Sequence, residues 1–291
     1  MASKYPVFVL CGSDKKKREL LKYIDPDEKY GVKGLVPFLG KPMMDWQIEE
    51  LIKSPYVEEL YLLGVTEKQI KFDFHVNYVP ISATSNYGEK LVAGLNYLRA
   101  QGKNFEKIVV SSSDTPGITV DAIDEFFEAV EKYEDYEYIQ VVVSEESVKA
   151  IFPEHERVVG NFTDINVFPG ELFAVNEKAI KTCSRLIDEF GRRRRLIKRR
   201  ERSKKTSALT PIIRMVLKRP KTWPYVIKFI RGKLDLKGAE KVISIISKLK
   251  AKAIISHDGA SGMDIDLPED YDKLKQYVSK AKNIPYTEGI S

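Results

Sequence analysis

The first half of the chain alternates between short apolar runs and longer stretches in which apolar residues recur every three or four positions. The apolar runs predict buried β-strands at Tyr5–Leu10, at Val57–Leu63 and at residues 74–79. The longer stretches, one beginning after Pro42 and one over residues 87–99, are typical of amphipathic helices. Strands that alternate with helices predict a three-layer α/β/α sandwich with a mostly parallel sheet.

A further apolar run at residues 107–112 stops just before the carboxylate of Asp114. A turn at residues 115–117 then leads into a predicted helix over residues 120–133. Ligands of open α/β sheets bind just beyond the carboxyl ends of the strands, where an acid can hold a divalent metal against phosphates. The alternative interpretation is that Asp114 only caps a helix or forms a turn.

The second half of the chain departs from the regular alternation. Residues 157–166 and 171–175 predict strands at an edge of the sheet, and a helix is predicted at residues 176–190. Three apolar-rich helical stretches follow, and a strand at 252–256 and a helix at 268–280 close the chain. We expect three regions: a core over residues 1–190, a basic helical insertion over 191–250, and a C-terminal strand and helix over 251–291 that return to the core.

The composition narrows the class of protein. Hydrophobic residues make up 43% of the 291 residues, which suits a globular protein, and no apolar run approaches the roughly 20 residues of a membrane span. The N-terminus lacks the apolar segment of a signal peptide, so we expect a cytoplasmic protein. The two cysteines and three histidines show no zinc-binding spacing.

Basic residues are concentrated in one run, which begins at Arg192 and ends at Lys205. It holds ten lysine or arginine residues and one acid, a local charge of +9 in a chain whose net charge is +6. Because the basic character belongs to one segment, we expect no general nucleic-acid-binding surface. The run is interpreted as a solvated surface or as a peripheral contact with an anionic membrane. Binding of a phosphorylated substrate or of nucleic acid is the remaining alternative.

Four segments carry residue types that suit nucleotide chemistry. Backbone amides of a small-residue turn can face phosphate, a lysine can neutralise it, and acids can bind a metal. The segments are the turn after the first strand (Leu10, Cys11, Gly12 and Ser13), Lys33 ahead of a Gly-Lys-Pro turn, Asp114, and the pair Asp264 and Asp266. Alternation along a strand would place the last two carboxylates on one face, about 7 Å apart.

In their order and separation these segments resemble the nucleotidyltransferases of the molybdenum-cofactor NTP transferase type, which have a glycosyltransferase-A-like fold. The resemblance covers residues 5–278, and the helical insertion is its least similar part. It implies a Mg²⁺-dependent transfer of NMP from an NTP to a phosphate-bearing small molecule, with release of pyrophosphate.

The resemblance also implies roles for individual residues. Lys33 matches the lysine that neutralises the phosphates, and Asp114 matches the metal-binding acid. Asp264, with Asp266 near it, matches the region of the second metal-binding acid. Residues 10–13 match the nucleotide-binding loop.

Other candidates fall where this chain departs from the family pattern or adds to it. The loop after the first strand has one glycine where the family usually has three, and Arg18 is interpreted either as a grip on the triphosphate or as a solvated charge. Gly170 and Glu171 stand where relatives carry a Gly-Gly-Asn turn, so an acid lies at the acceptor position. Ser82 is a candidate either for contact with the base or for capping a helix.

We therefore predict a nucleotidyltransferase and keep two alternatives. A sugar-nucleotide-dependent glycosyltransferase usually has an Asp-x-Asp at the end of a central strand, and here Ser112 replaces the first acid. A non-catalytic nucleotide-binding relative is favoured by the glycine-poor loop and by Glu171. The helical insertion is expected to cover the acceptor side, or to form a homodimer or membrane contact.

Overall fold

The computed structural model describes residues 3–12, 19–155, 160–182, 184, 216 and 218–286. Within these ranges, eight strands form one sheet and two short strands, β2 (Pro37–Phe38) and β3 (Lys41–Pro42), form a separate hairpin. The strands of the main sheet are β1 (Tyr5–Leu10), β4 (Val57–Leu63), β5 (Asn77–Val79), β6 (Ile108–Ser112), β7 (Tyr138–Ser144), β8 (Gly160–Asn161), β9 (Asn166–Val175) and β10 (Ala251–Ser256).

The main sheet is mostly parallel, as the alternation of strands and helices predicts. Its order is β10-β7-β9-β6-β1-β4-β5, with β8 paired to β9. The pairs β1–β4, β1–β6, β4–β5 and β7–β10 are parallel, so their carboxyl ends meet at one edge of the sheet. The fold class predicted from the sequence is confirmed.

Helices cover both faces of this sheet. They are α1 (Glu19–Ile24), α2 (Met43–Lys53), α3 (Tyr87–Ala100), α4 (Val120–Lys132), α5 (Glu145–Ile151), α6 (Trp223–Ile230), α7 (Leu236–Ser247) and α8 (Pro268–Ala281). Along β1, Val7 and Val9 join a core that includes residues of α2, α4 and α8. Phe8 and Leu10 point the other way, into a second core built with α3. The period-two alternation of a strand therefore produces three layers.

Strand β9 lies in the interior of the sheet, and the prediction of edge strands at this point of the chain is wrong for residues 171–175. β9 runs antiparallel between β6 and β7. Its side chains enter both cores, since Phe168 and Leu172 lie in one and Phe173 in the other. An apolar pattern identifies a strand but not its place in the sheet, because order depends on contacts between distant segments. Only β8 fits the edge prediction.

Helices α6 and α7 come after residues 185–217, the stretch of chain that the structure leaves largely undescribed. α7 is tied to the edge strand β10, because Lys252 pairs with Glu240 at 2.9 Å and the amide of Ala251 donates to Ser244 Oγ at 3.1 Å. The basic run at residues 192–205 and the helical stretch predicted at residues 209–217 lie outside the described residues, apart from Val216. The division into three regions stays a prediction. In the parts of the chain that are described, no helix has the length and apolar character needed to cross a bilayer.

Candidate active site

Asp114 follows β6 directly and forms an ion pair with Lys33. Lys33 begins a 3-10 turn over Lys33–Leu35, and its ammonium donates to Asp114 Oδ2 and lies 3.4 Å from Asp266 Oδ1. The side chains of Lys33 and Asp114 are 15% and 18% exposed, so the pair is shielded from most of the solvent but still reachable. The structure thus brings together three of the predicted residues.

The turn that carries Lys33 packs closely against the end of β6. A Cβ on Gly34 would lie 3.1 Å from Ser113 Oγ and 3.2 Å from Met44 Cβ, which is tighter than ordinary contact. Leu35 enters the core, and the amide of Met43 donates to Val36 O at 3.0 Å as α2 begins. These contacts hold the ammonium of Lys33 beside Asp114.

Asp264 and Asp266 reach the same place from the other end of the chain. The amide of Ile265 donates to Asp114 O at 3.1 Å, and Asp270 Oδ2 accepts from the amides of Asp266 (3.2 Å) and Leu267 (2.8 Å). The sequence predicts a strand here, and that prediction is wrong: residues 263–266 link a 3-10 turn (Gly259–Gly262) to α8. These residues are held by the main-chain hydrogen bond from Ile265 to Asp114 and by the Asp270 cap of α8, and they do not form the hydrogen-bond ladder of a β-strand.

The three aspartates meet the requirements of a divalent metal site. One carboxylate oxygen from each of Asp114, Asp264 and Asp266 lies within 4.8 Å of the other two. Asp114 Oδ1 is buried and accepts no hydrogen bond from any described residue, which leaves an oxygen available to a cation. Hard cations such as Mg²⁺ prefer carboxylate oxygens. The donor set therefore fits Mg²⁺.

Burial and neighbouring charges shift the pKa of two groups in this cluster, Lys33 and Glu171. Burial alone would lower the pKa of Lys33, but the carboxylates of Asp114 and Asp266 outweigh it and raise that pKa above its ordinary value. Burial raises the pKa of Glu171 to about 7, helped by the negative charges of Asp114 and Asp266 and opposed by Lys33. The site therefore concentrates negative charge around one ammonium.

Glu171 belongs to this cluster because of the position of β9. Ser111 pairs with Leu172, which sets Glu171 beside Ser112 at the end of β6, and the Ser112 hydroxyl lowers the pKa of Glu171 by hydrogen bonding. Gly170 is packed instead against β7, where an added Cβ would lie 2.5 Å from Val141 Cγ1. Of the two residues predicted to bind the acceptor, Glu171 faces the acidic cluster and Gly170 is required for packing.

The predicted nucleotide-binding turn lies between the ends of β4 and β6. Leu10 pairs with Leu63 on one side and Ser112 on the other, and Cys11 is fully buried. Burial raises the pKa of the Cys11 thiol to about 12, so it stays protonated at neutral pH. Gly64, with φ of +115°, passes so close that a Cβ would lie 2.0 Å from Cys11 O.

Lys90 is a residue of this region that the sequence analysis misses. It extends from α3 and donates to Cys11 O (2.8 Å) and Ala83 O (2.9 Å), and it is 4% exposed. Burial lowers the pKa of Lys90, and the Cys11 thiol opposes this only in part. The sequence feature that indicates a buried Lys90 is its spacing, since residues 90, 94 and 98 share one buried face of the helix.

Gln47 is a second residue that sequence reasoning misses. It is fully buried in α2, donates to Ser111 Oγ and accepts from the amide of Thr115 at 3.4 Å. It thereby fixes the turn on either side of Asp114. The sequence feature that indicates a buried Gln47 is its position within the apolar stripe of α2.

Of the remaining predicted residues, Ser82 is described, and its hydrogen bonds are made outside the acidic cluster. Ser82 is exposed, and its hydroxyl lies 3.0 Å from Thr84 Oγ1 and accepts from the amide of Thr84. Its loop is nevertheless tied to the turn after β1 through Ala83 and Lys90. Ser13, Arg18 and residues 192–205 lie outside the described residues.

A mostly parallel sheet with an acid cluster and a lysine at its carboxyl edge is an arrangement that suits the binding of a metal ion and phosphates. A family model described as the MobA-like NTP transferase domain matches residues 29–204, which is more than half of the chain. The protein belongs to this family, and the resemblance stated from its motifs is confirmed. Among curated proteins, no significant match is found.

Solved structures agree with this fold. A hypothetical transferase from Thermus thermophilus superposes with a TM-score of 0.64 at 20% identity, covering 92% of this chain and 99% of that chain. A CMP:2-keto-3-deoxy-manno-octonic acid synthetase solved with CTP gives a TM-score of 0.52 at 9% identity, covering 96% and 99%. A protein from Mycobacterium sp. strain JC1 gives 0.50 at 13% identity, covering 95% and 98%.

Proposed function

We propose that this protein is a Mg²⁺-dependent nucleotidyltransferase that transfers NMP from an NTP to the phosphate of a small-molecule acceptor and releases pyrophosphate. The observation that carries the proposal is the meeting of Lys33 with Asp114 and Asp266, beside Asp264, at the carboxyl edge of the sheet. Membership of the NTP transferase family points to an NTP as the donor. The phosphate-bearing acceptor is what the family resemblance implies, and the metal is inferred from the chemistry of these side chains.

Each residue has a defined part in this scheme. Asp114, Asp264 and Asp266 would hold Mg²⁺, which supplies positive charge and alignment to the phosphates when it is bound. The backbone of residues 10–12, braced by Lys90, would hold the triphosphate. Lys33 offers a fixed positive charge to the oxygens that become more negative in the transition state.

The reaction needs no covalent intermediate with the protein. An oxygen of the acceptor phosphate forms a bond to the α-phosphorus of the NTP while the bond from that phosphorus to the bridging oxygen breaks. Pyrophosphate takes the bonding electrons and leaves. Glu171, hydrogen-bonded to Ser112 at the end of β6, would contact the acceptor. Alignment and charge neutralisation supply most of the rate.

The test is a pyrophosphate-release assay with Mg²⁺, the four NTPs and a panel of sugar and polyol phosphates, beginning with CTP. Asp114→Asn should reduce turnover at least about 100-fold, because it removes a carboxylate that would hold the Mg²⁺. Asp121→Asn is the matched control, since Asp121 is exposed on α4. Nucleotide binding without turnover for any acceptor would refute catalysis and favour a non-catalytic relative.

A further inference from the structure

Helix α6 displays an unusual amount of apolar surface. It has eight residues, and none of them is buried. Trp223, Ile227 and Ile230 are 52%, 49% and 76% exposed, and Phe229 is 46% exposed. These four are among only ten large hydrophobic side chains that are exposed in all the described residues. Such a concentration marks an interaction surface, because scattered single exposures are the norm.

The exposed residues form one stripe. Positions 223, 227 and 230 are four and three residues apart, so their side chains lie on the same side of the helix. Val226, on the neighbouring side, packs against a small buried cluster that includes Ile246 of α7. The helix is thus anchored by one side and presents Trp223, Ile227 and Ile230 outwards. We call these three residues the α6 stripe.

Positive charge flanks the α6 stripe. Five exposed cations lie on α6 or within a few residues of its ends: Lys218, Lys221, Lys228, Arg231 and Lys233. Residues 218–233 contain no acid. We call these five cations the rim of the stripe, and the rim therefore carries a strong positive charge.

This rim excludes two occupants that would otherwise fit an apolar helix face. A second copy of the chain, docked through the same stripe, would bring the five cations of the rim against the same five cations of the other copy. The chain's own segment at residues 192–205 carries a charge of +9 and is repelled in the same way. An apolar stripe inside a basic rim complements a surface that is negative outside and apolar beneath.

We propose that α6 docks the protein onto an anionic lipid bilayer. The stripe inserts among the acyl chains just below the headgroups, and the surrounding lysines and arginines contact anionic headgroups. Each such cation near an anionic surface tightens binding about fivefold, which is the effect of roughly 1 kcal/mol. The five cations of the rim are enough for a measurable effect. The interaction is peripheral.

The test is flotation of the full-length protein with two kinds of vesicle, one of phosphatidylcholine alone and one containing about a third phosphatidylserine. Binding is expected only to the anionic vesicles, and it should weaken steeply between about 0.05 M and 0.5 M salt. Ile227→Glu/Ile230→Glu should weaken binding at least about 25-fold through its two added negative charges. Ile52→Glu, which changes an exposed apolar residue on α2, should bind like the parent protein.

Tryptophan fluorescence gives a second readout. The chain has two tryptophans, the buried Trp46 and the half-exposed Trp223. Anionic vesicles should shift the emission to shorter wavelength, and Trp223→Phe should abolish that shift. Equal binding to neutral vesicles, or equal binding by the Ile227/Ile230 double variant, would refute the proposal. So would a change of oligomeric state in that variant without any vesicle binding by the parent protein. Nucleotide turnover in the absence of vesicles is measured separately, so failure of the catalytic proposal is distinguishable.

Discussion

Two lysines approach the carboxyl edge of the sheet from opposite faces, and their surroundings differ completely. Lys33 lies among carboxylates, donates to Asp114 and has a raised pKa. Lys90 lies among backbone carbonyls, donates to Cys11 O and Ala83 O and has a lowered pKa. The ammonium of Lys33 is therefore paired with negative charges, whereas the ammonium of Lys90 is paired with neutral backbone dipoles.

Under the proposed function, this difference separates a chemical role for Lys33 from a positioning role for Lys90. The charge on Lys33 is held permanently, beside the carboxylates that would bind a metal. Lys90 is a brace between two loops, and its value depends on donating hydrogen bonds to groups that water cannot reach. Substitution of the two lysines should consequently affect different steps, and the following predictions test that separation in order of decreasing effect.

The largest effect is expected for Lys33→Met. Turnover should fall at least about 100-fold because a fixed positive charge facing the phosphates is lost. Binding of Mg²⁺ or Mn²⁺, measured by calorimetry, should tighten, because the ammonium no longer competes for Asp114 and Asp266. Lys41→Met, which removes a lysine paired with Glu49, is the control and should leave both quantities unchanged. Normal turnover in Lys33→Met would remove Lys33 from the mechanism.

An intermediate effect is expected for Lys90→Met. Loss of both hydrogen bonds should destabilise the protein by about 1–3 kcal/mol and raise KM for the NTP roughly tenfold, with a smaller change in kcat. Urea unfolding and steady-state kinetics measure these quantities. Lys107→Met is the matched control, because buried Lys107 donates to Glu134 O at the opposite end of β6. That variant should lose stability but keep KM, and an equal rise in KM for both variants would contradict a positioning role for Lys90.

The smallest effect is a pH-dependent change in stability for Glu171→Gln. The pKa of Glu171 rises from its ordinary 4.5 to about 7, so the folded protein binds a proton more tightly than the unfolded chain. Stability is therefore lost as the pH rises from about 4.5 to about 7, and the glutamine variant should avoid this loss. Its melting temperature relative to the parent should increase over that range in EDTA, and Mg²⁺ should reduce the difference.

Glu177→Gln is a comparison variant whose effect on stability should have the opposite sign to that of Glu171→Gln. Hydrogen bonds from Lys181 and Arg99 lower the pKa of the exposed Glu177 to about 2, so its carboxylate favours the folded state. That variant should be slightly less stable than the parent at neutral pH. A Glu171→Gln difference that does not vary with pH would show that the carboxyl of Glu171 is solvated.

The sequence predicts those parts of this fold that depend on local pattern and chain order. The parallel strands, the turn after Leu10 and the position of Asp114 follow from strands whose ends share an edge. The meeting of Asp114 with Lys33 and the C-terminal aspartates is implied by the family resemblance instead, because neither Lys33 nor those aspartates lie on a strand. The interior place of β9 does not follow from local pattern, because an apolar strand has no local mark of its neighbours. Lys90 and Gln47 were missed for a related reason, since polar residues on apolar helix faces are read as exposed until their partners are known.

The main-chain bond between Ile265 and Asp114 has a consequence for when the proposed metal site can form. Two of its three acids are encoded within residues 264–266, after every described strand of the sheet. A chain that stopped before them would carry only one of the three carboxylates. Under the proposed function, synthesis and docking of the C-terminal segment would therefore be the final step in building the metal site.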